Sequence, residues 1–580
     1  MKLVLHKPLV RRQYRLEYSY YLGFGYLKAY LEQHVPAVDV QVVHDEAAIR
    51  AARPDVVGFS TVTEMWPRVM TLYRRLRTWF DGPVLFGGPH ITALTELLPR
   101  GNNIAFCGEG EAALARVMAG LFSDRSGRVP REPVPGTAVW CDGKLLIGPP
   151  AELVDVNRLP PPADAPVDVY PLTTVRGCPY HCTHCVERPT QGRPRQMTAE
   201  RLAALVIDRY EMHGTTVFEL LDDIFLVSPK RLSAFVDILD RRGHLGRFEF
   251  VRVSLMAHLI TDEVAALLAR LNLSKAGMGV ESADPEILRR FKRGVVTIEH
   301  VERAIEACTR HGISIGSSIV LGYPGETERQ LRNSIDFYAE KAHTTAFEFW
   351  EPYVCQPLPG STLWHEGLRA GRLSSTMDFS QLRIDADVEH FDSEWHYDNE
   401  AALPRGRFLE ILREYNLIRE GFFVRDPAEV RGAPLTDVFS RQYVPENVAR
   451  RKTLQTLTAW QEADGRPVAV FGAGRHTRKV LPALINSPVS IAAVVDDSLD
   501  RIGKRLGPWD VVSAKEMMSL DIGAVLVSAD RCQEAIVTRL RPLVEGKRRL
   551  LVLYKGQELC RRRAEDWALS ERGRQAEPRP

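Results

Sequence analysis

The chain has 580 residues, 45% of them hydrophobic and 26% charged, with a formal net charge of +2 at pH 7. It is too long for one hydrophobic core, so roughly three or four domains are expected, and the near-neutral balance argues against nucleic acid as a partner. No apolar run reaches the ~18 residues that span a bilayer, the opening MKLVLHKPLV reads as a strand rather than a signal peptide, and nine cysteines, three of them clustered, read as cytosolic thiols plus a metal site.

Residues 1–125 alternate short β-branched runs (KLVLH, DVQVV, DVVGFS, PVLFGG, NIAFCG) with amphipathic stretches (YLKAYLEQ, WPRVMTLYRRLRTWF, EAALARVMAGLF). Such alternation predicts a parallel sheet covered on both faces, a Rossmann-like domain over 1–150. TAVWCDGKLLIG (137–148) predicts a hairpin turning at Asp142-Gly143. The proline-rich 157–171 predicts a linker and a domain boundary.

From 172 a strand–helix pattern repeats about six times. The strands are LTTVRG, TVFELLD, FEFVRVSL, KAGMGVE, ISIGSSIVLG and TAFEFW, and helices are predicted over 199–213, 229–242, 298–311 and 326–341. Six such units over 166–350 predict a partial TIM-like barrel with its chemistry at the C-terminal strand ends. Residues 351–455 are expected to form a mixed, mostly helical extension, and in the strand-end loop 349–364 that leads into it Trp350, Glu351, Tyr353 and Cys355 either face substrate or serve as core.

A second Rossmann-like pattern covers 460–560. VAVFGAGRHTRKVL is a strand, a Gly-x-Gly turn and a helix, and Asp496 and Asp497 follow a second strand, placed for a ribose. Thr477 stands where the third glycine of that pattern falls, which leaves two readings: an NAD-like nucleotide site, or a degenerate docking domain. The arginine-rich tail, 561–580, is expected to be disordered.

The chemistry is concentrated in VRGCPYHCTHCVERP. Cys178, Cys182 and Cys185 follow Cys-x₃-Cys-x₂-Cys spacing in the loop after the first barrel strand. One reading is zinc, completed by His181 or His184; another is a 4Fe–4S cluster with three protein ligands and one open iron. The spacing and the loop position resemble the radical S-adenosylmethionine (radical SAM) enzymes. That resemblance implies that the open iron binds the amino and carboxylate groups of S-adenosylmethionine and that reductive cleavage yields a 5′-deoxyadenosyl radical. His184 stands where the family commonly has an aromatic residue.

The resemblance extends to later strand ends. In ELLDDIF, Asp222 and Asp223 match positions that bind the amino group of S-adenosylmethionine; helix capping is the alternative for Asp223. Glu281 and Ser282 match contacts to ribose and methionine, and Ile319, Gly322 and Gly325 match backbone contacts to adenine. Arg252, midway along the third strand, either reaches the site or forms a barrel salt bridge.

In the N-terminal domain, GFSTVTEMW, FGGPHIT and CGEGEAAL sit at strand ends, where glycines and small hydroxyls admit a bulky cofactor. Ahead of a radical domain they resemble the cobalamin-binding domain of cobalamin-dependent radical SAM enzymes. The resemblance implies that Ser60, Thr61, Thr63, Gly87, Gly88, His90, Gly108, Glu109 and Gly110 line the corrinoid. No Asp-x-His-x-x-Gly signature is present, so cobalamin is expected base-off or without a histidine from that loop.

The resemblance implies a cytoplasmic, class B methyltransferase-like enzyme. Methylcobalamin would deliver a methyl group to an unactivated carbon of a small-molecule or carrier-bound substrate of natural-product or sugar type. Flavodoxin or ferredoxin would supply the electron. The alternatives are a cobalamin-dependent rearrangement or cyclisation, and, in another class, a zinc-binding scaffold with Rossmann-like interaction domains.

Overall fold

Leu3, Val4 and Leu5 show how the N-terminal sheet is built, because successive side chains of a strand point to opposite faces. Leu3 and Leu5 pack with Val56, Leu85 and Ile104 on one face; Val4 packs with Val57, Phe59 and Phe86 on the other. A computed structural model of the chain describes residues 1–8, 20–187, 192–273, 275–344, 347–382, 396–419, 446–474, 476–477, 480–485, 487–498, 501–529, 533–544 and 546–553. The sheet comprises β1 (Lys2–His6), β2 (Asp39–Val43), β3 (Val56–Ser60), β4 (Val84–Gly87), β5 (Asn103–Phe106), β6 (Thr137–Cys141) and β7 (Lys144–Ile147), in the order β2-β1-β3-β4-β5-β6-β7. The first five are parallel, and β6 and β7 add an antiparallel hairpin. Its turn residues, Asp142 and Gly143, have φ of 47° and 78°, as a type I′ turn requires.

The start of the proline-rich stretch, expected to be a linker, is packed. Val154, Val156 and Leu159 bury against Tyr26 and Met197, and the Tyr20 hydroxyl donates to the Ala163 carbonyl at 2.5 Å. The chain divides instead into one compact unit of Met1–Ala304, Ser318–Ser334 and Glu351–Leu409, and a second of Ile305–Ser317, Ile335–Trp350 and the residues from Glu410 onward. Part of the expected extension thus belongs with the N-terminal domain: Trp364 and Phe379 bury in the same cluster as Trp66 and Phe86. The two readings of the linker differ only in long-range apolar contacts, which no local pattern reports.

The barrel strands are β8 (Tyr170–Leu172), β9 (Val175–Arg176), β10 (Arg195–Gln196), β11 (Val217–Leu220), β12 (Glu249–Val251), β13 (Val253–Leu255), β14 (Lys275–Met278), β15 (Ser314–Leu321) and β16 (Phe347–Val354). They form two arcs, β12-β11-β8 and β13-β14-β15-β16, with β9 and β10 as a separate antiparallel pair. The expected single strand over 248–255 is broken at Arg252, whose φ of 59° leaves the β region.

The C-terminal sheet holds β17 (Val468–Phe471), β18 (Ile491–Val495), β19 (Arg505–Leu506), β20 (Trp509–Val512), β21 (Ala524–Val527) and β22 (Arg549–Val552), in the order β19-β20-β18-β17-β21-β22. β17 pairs in parallel with both β18 and β21, which places a topological switch point at its C-terminal end. The proline-broken stretch after 426 and the tail from 561 lie outside the described residues, as do the side chains of Trp350 and Glu351.

Candidate active site

The cysteine loop is anchored before its first cysteine. Asp222, buried at the end of β11, accepts from the Thr174 amide at 2.5 Å, the Thr174 hydroxyl at 2.7 Å and the Val175 amide at 2.8 Å. Burial pushes its carboxyl up to about 6, and those donors oppose the shift. Asp222 was expected to bind the amino group of S-adenosylmethionine; the structure uses it to fix the loop. At Gly177 the φ is 81° and a Cβ would lie 2.8 Å from the carbonyls of Gly192 and Arg193, so only glycine turns the chain here. Beyond it, the Thr183 amide donates to the Phe291 carbonyl at 2.9 Å and Leu363 donates to the Thr183 carbonyl at 3.1 Å.

Cys178, Cys182 and Cys185 form no disulfide and are partly exposed. Burial raises all three, Cys185 to about 12, and Lys292 opposes the rise at Cys182. Lys292 is itself buried, donates to the Gly279 carbonyl and lies 3.7 Å from Glu281. A zinc ion draws its thiolates to within about 2.3 Å of one point, whereas a cluster takes one thiolate at each of three irons. Among the described residues, no group of three or more His, Cys, Asp or Glu side chains is arranged for a single ion. Of the two histidines that could complete a zinc site, His181 is exposed, and Nδ1 of His184 is bonded to the Tyr323 hydroxyl at 3.1 Å. Three thiols of one loop fit the three protein ligands of a 4Fe–4S cluster with one open iron.

Asp223, unlike Asp222, is exposed. The surrounding protein and then Glu187 hold its carboxyl well above the usual range, and the Gly177 amide opposes them. Glu281 carries a φ of 68° and forms a parallel bridge with buried Ile319. Ser282 is buried and internal: its hydroxyl lies 2.9 Å from that of Ser334 and accepts from the Asp284 amide. Gly322 and Gly325 have φ of 77° and 82°, but their amides are taken by Glu326 at 2.7 Å and Asn399 at 2.8 Å. Both amides are thus engaged within the protein. Arg252 pairs with Glu219 at 3.1 Å, the barrel salt bridge that was its alternative reading. Cys355 is core, packed with Ile287, Phe291 and Tyr323.

At the strand ends of the N-terminal sheet, Ser60, Thr63, Gly87, Gly108, Glu109 and Gly110 are partly exposed. Thr61 is buried and holds two loops together, donating to the Gly87 carbonyl and accepting from the Ile91 amide. At Gly88 a Cβ would sit 2.5 Å from the Thr61 carbonyl oxygen. His90 is not at a surface: it is fully buried between Trp66 and Phe379, with ring centres 4.8 and 4.7 Å away. Glu109 is engaged by Arg195 and Arg176. Two residues outside the expected set, Arg176 and Glu111, bond at 2.6 Å. A basic residue two positions before the first cysteine was the local signal for that pair.

The C-terminal crevice is internally satisfied. The Asp496 carboxylate, expected near a ribose, accepts from the Ala473 amide at 2.7 Å and pairs with Arg501 at 3.2 Å. Asp497 pairs with Arg539. Thr477 donates to Gly472 and lies 2.9 Å from the Ser528 hydroxyl, so its side chain fills the turn.

The fold places a Rossmann-like α/β domain ahead, in sequence, of a partial barrel whose first loop carries the three cysteines. The model of the Radical SAM superfamily matches residues 172–338, and that of the B12 binding domain matches residues 15–118. An uncharacterized methyltransferase of Pyrococcus horikoshii is 27% identical over 404 residues, 64% of this chain and 84% of its own. The cobalamin-dependent radical SAM methyltransferase TokK of Streptomyces tokunonensis is 25% identical, and the match spans 58% of this chain and only 54% of TokK. In fold the chain is similar to the radical S-adenosylmethionine methyltransferase TsrM of Kitasatospora setae (TM-score 0.51, 20% identity, 64% of this chain and 76% of TsrM). It is also similar to the cobalamin-dependent S-adenosylmethionine radical enzyme OxsB (TM-score 0.51, 14% identity, 83% and 70%). The chain thus carries a B12-binding domain followed by a radical SAM domain, and the cofactors of these domains are cobalamin, a 4Fe–4S cluster and S-adenosylmethionine. No helix among the described residues is long and apolar enough to cross a membrane.

Proposed function

We propose that this enzyme methylates an unactivated carbon of a biosynthetic substrate, of natural-product or sugar type, with cobalamin as methyl carrier. The observation that carries the reading is the joining of two loops in one compact unit: Arg176, beside the cysteine loop, bonds Glu111, beside the third strand-end loop of the B12-binding domain. Cofactor sites at these two loops would suit a reaction that needs both at one carbon. The names of TokK and of the Pyrococcus protein agree with it. When bound, the cluster and S-adenosylmethionine supply hydrogen abstraction and the corrinoid supplies the methyl group.

The chain's own residues do the rest. Cys178, Cys182 and Cys185 hold three irons, and Asp222 fixes their loop. Asp223 and Glu281 face S-adenosylmethionine, and the loops at 58–66, 86–92 and 107–114 face the corrinoid. The stretch 154–163 and the segment 361–382 pack against this unit, and a carbon radical requires that water be excluded around it. The C-terminal domain docks a substrate or its carrier, since Asp496 is already committed to the glycine turn. A one-electron donor such as flavodoxin or ferredoxin completes the system.

An unactivated carbon is no nucleophile, so each turnover needs one S-adenosylmethionine for the methyl group and a second for the radical. Each methylated product should therefore appear with one 5′-deoxyadenosine and one S-adenosylhomocysteine, and turnover should depend on added cobalamin. Deoxyadenosine formed with a product that carries no methyl label would replace methylation by a rearrangement or cyclisation.

A further inference from the structure

Four largely buried charges meet between the third strand-end loop of the B12-binding domain and the strand that enters the cysteine loop. Glu109 and Glu111 have side chains 7% and 6% exposed, against 11% for Arg176 and 22% for Arg195. Arg176 donates to Glu111 at 2.6 Å and lies 3.7 Å from Glu109. Arg195, on β10, the partner strand of β9, bonds both Glu109 oxygens and the Val154 carbonyl at 2.8 Å. The Val154 amide donates back to Glu109 at 3.1 Å. The Arg176 guanidinium lies 5.3 Å from the centre of the Tyr26 ring, and the Tyr26 hydroxyl accepts from the Thr173 amide at 3.1 Å. Two cations and two carboxylates balance, and each charged group has a partner.

Apolar side chains would hold two surfaces together at less desolvation cost. What paired charges add is direction: a guanidinium meets a carboxylate in a restricted plane and at a restricted distance. Arg176 is two residues from Cys178, and Glu109 and Glu111 flank Gly110 of the candidate corrinoid loop. Any shift of one loop is therefore transmitted to the other through three or four directional bonds.

From this we infer that Arg176, Glu111, Glu109 and Arg195 form a positioning clasp that sets the separation of the corrinoid from the cluster, so that hydrogen abstraction and methyl delivery converge on one substrate carbon. The inference rests on the reading proposed above. The four residues touch neither reacting atom; they act through the two loops.

The test uses the full-length enzyme loaded with cluster and cobalamin, and the charge-balanced variant Arg176→Gln/Glu111→Gln, which leaves the Arg195–Glu109 pair in place. Iron content should stay within about twofold of the parent. Product formed per deoxyadenosine should fall about tenfold or more, because misplacement of ~1 Å is enough to cost that factor. A merely structural role would lower both reactions together with the folded fraction and leave their ratio unchanged, which overturns the clasp. The second readout is the dipolar distance distribution between cobalt(II) corrinoid and the reduced cluster, measured without substrate: it should broaden or shift in the variant, and an unchanged distribution also overturns the inference. Should the parent yield no methylated product, the proposed reaction fails, and this distance alone decides the clasp. If the double variant does not fold, Glu111→Asp, which keeps the charge and shortens the reach by one methylene, is read in the same two ways.

Discussion

The hydroxyl of Tyr323 and Nδ1 of His184 lie 3.1 Å apart, so the glycine turn after β15 and the cysteine loop share a hydrogen bond. Burial holds the His184 imidazole down at about 4 and the Tyr323 phenol well above its ordinary range, so both are neutral near pH 7. Tyr323 also stacks on Phe291, with centroids 4.1 Å apart. Tyr323→Phe keeps the stack and leaves that ring nitrogen unmet, at a cost of about 1–3 kcal/mol. Denaturant unfolding should show it; an unchanged midpoint would mean the bond contributes nothing.

Replacement of Cys178, Cys182 or Cys185 by alanine should abolish cleavage of S-adenosylmethionine. The parent, reconstituted without oxygen, should hold roughly four irons with matching sulfide per chain. Stoichiometric zinc with no iron uptake would instead favour the zinc scaffold.

Glu326 is fully buried; Oε2 accepts from the amides of Gly322 and Tyr323, and Oε1 has no partner. Burial raises its carboxyl from 4.5 to about 8, opposed by those two amides. Between these values the folded chain binds a proton that the unfolded chain has released, so stability falls as pH rises from about 4.5 to about 8. Glu326→Gln should remove this dependence. Its melting temperature should exceed that of the parent above about pH 8 and approach it near pH 4.5; parallel curves would refute the assignment.

His90 shifts the other way. Burial lowers its imidazole from 6.5 to about 3, so between these values the unfolded chain binds the extra proton and stability is lost as pH falls. His90→Phe should flatten the acid limb of the stability curve while retaining the packing against Trp66 and Phe379. An acid limb as steep as the parent's would place the responsible group elsewhere.

Gly88 has a φ of 105°, and an added Cβ would meet the Thr61 carbonyl oxygen at 2.5 Å. Gly88→Ala should cost about 1–3 kcal/mol through strain at this turn. Corrinoid affinity, followed by visible absorption, should fall with it. Unchanged affinity would remove this loop from the candidate corrinoid site.

Some features of this protein are set by residues close together in the chain. The alternation Leu3-Val4-Leu5 assigns two faces to a strand, Asp142-Gly143 adopts the positive φ values a tight hairpin needs, and the three cysteines fall in one loop. Each follows from local backbone geometry, which neighbouring residues fix. What tertiary structure decided is which polar groups are already spent. Asp222 meets Thr174 across 48 residues, Asp496 meets Ala473 across 23, and Arg176 meets Glu111 across 65. A carboxylate in a sequence looks the same whether it awaits a ligand or is neutralised by a distant guanidinium or amide. Likewise His90 belongs to a strand-end motif by position, yet Phe379, far along the chain, closes over it and makes it core. Burial and pairing are long-range properties, and they turned several residues with a ligand's chemistry into the framework that holds the cysteine loop.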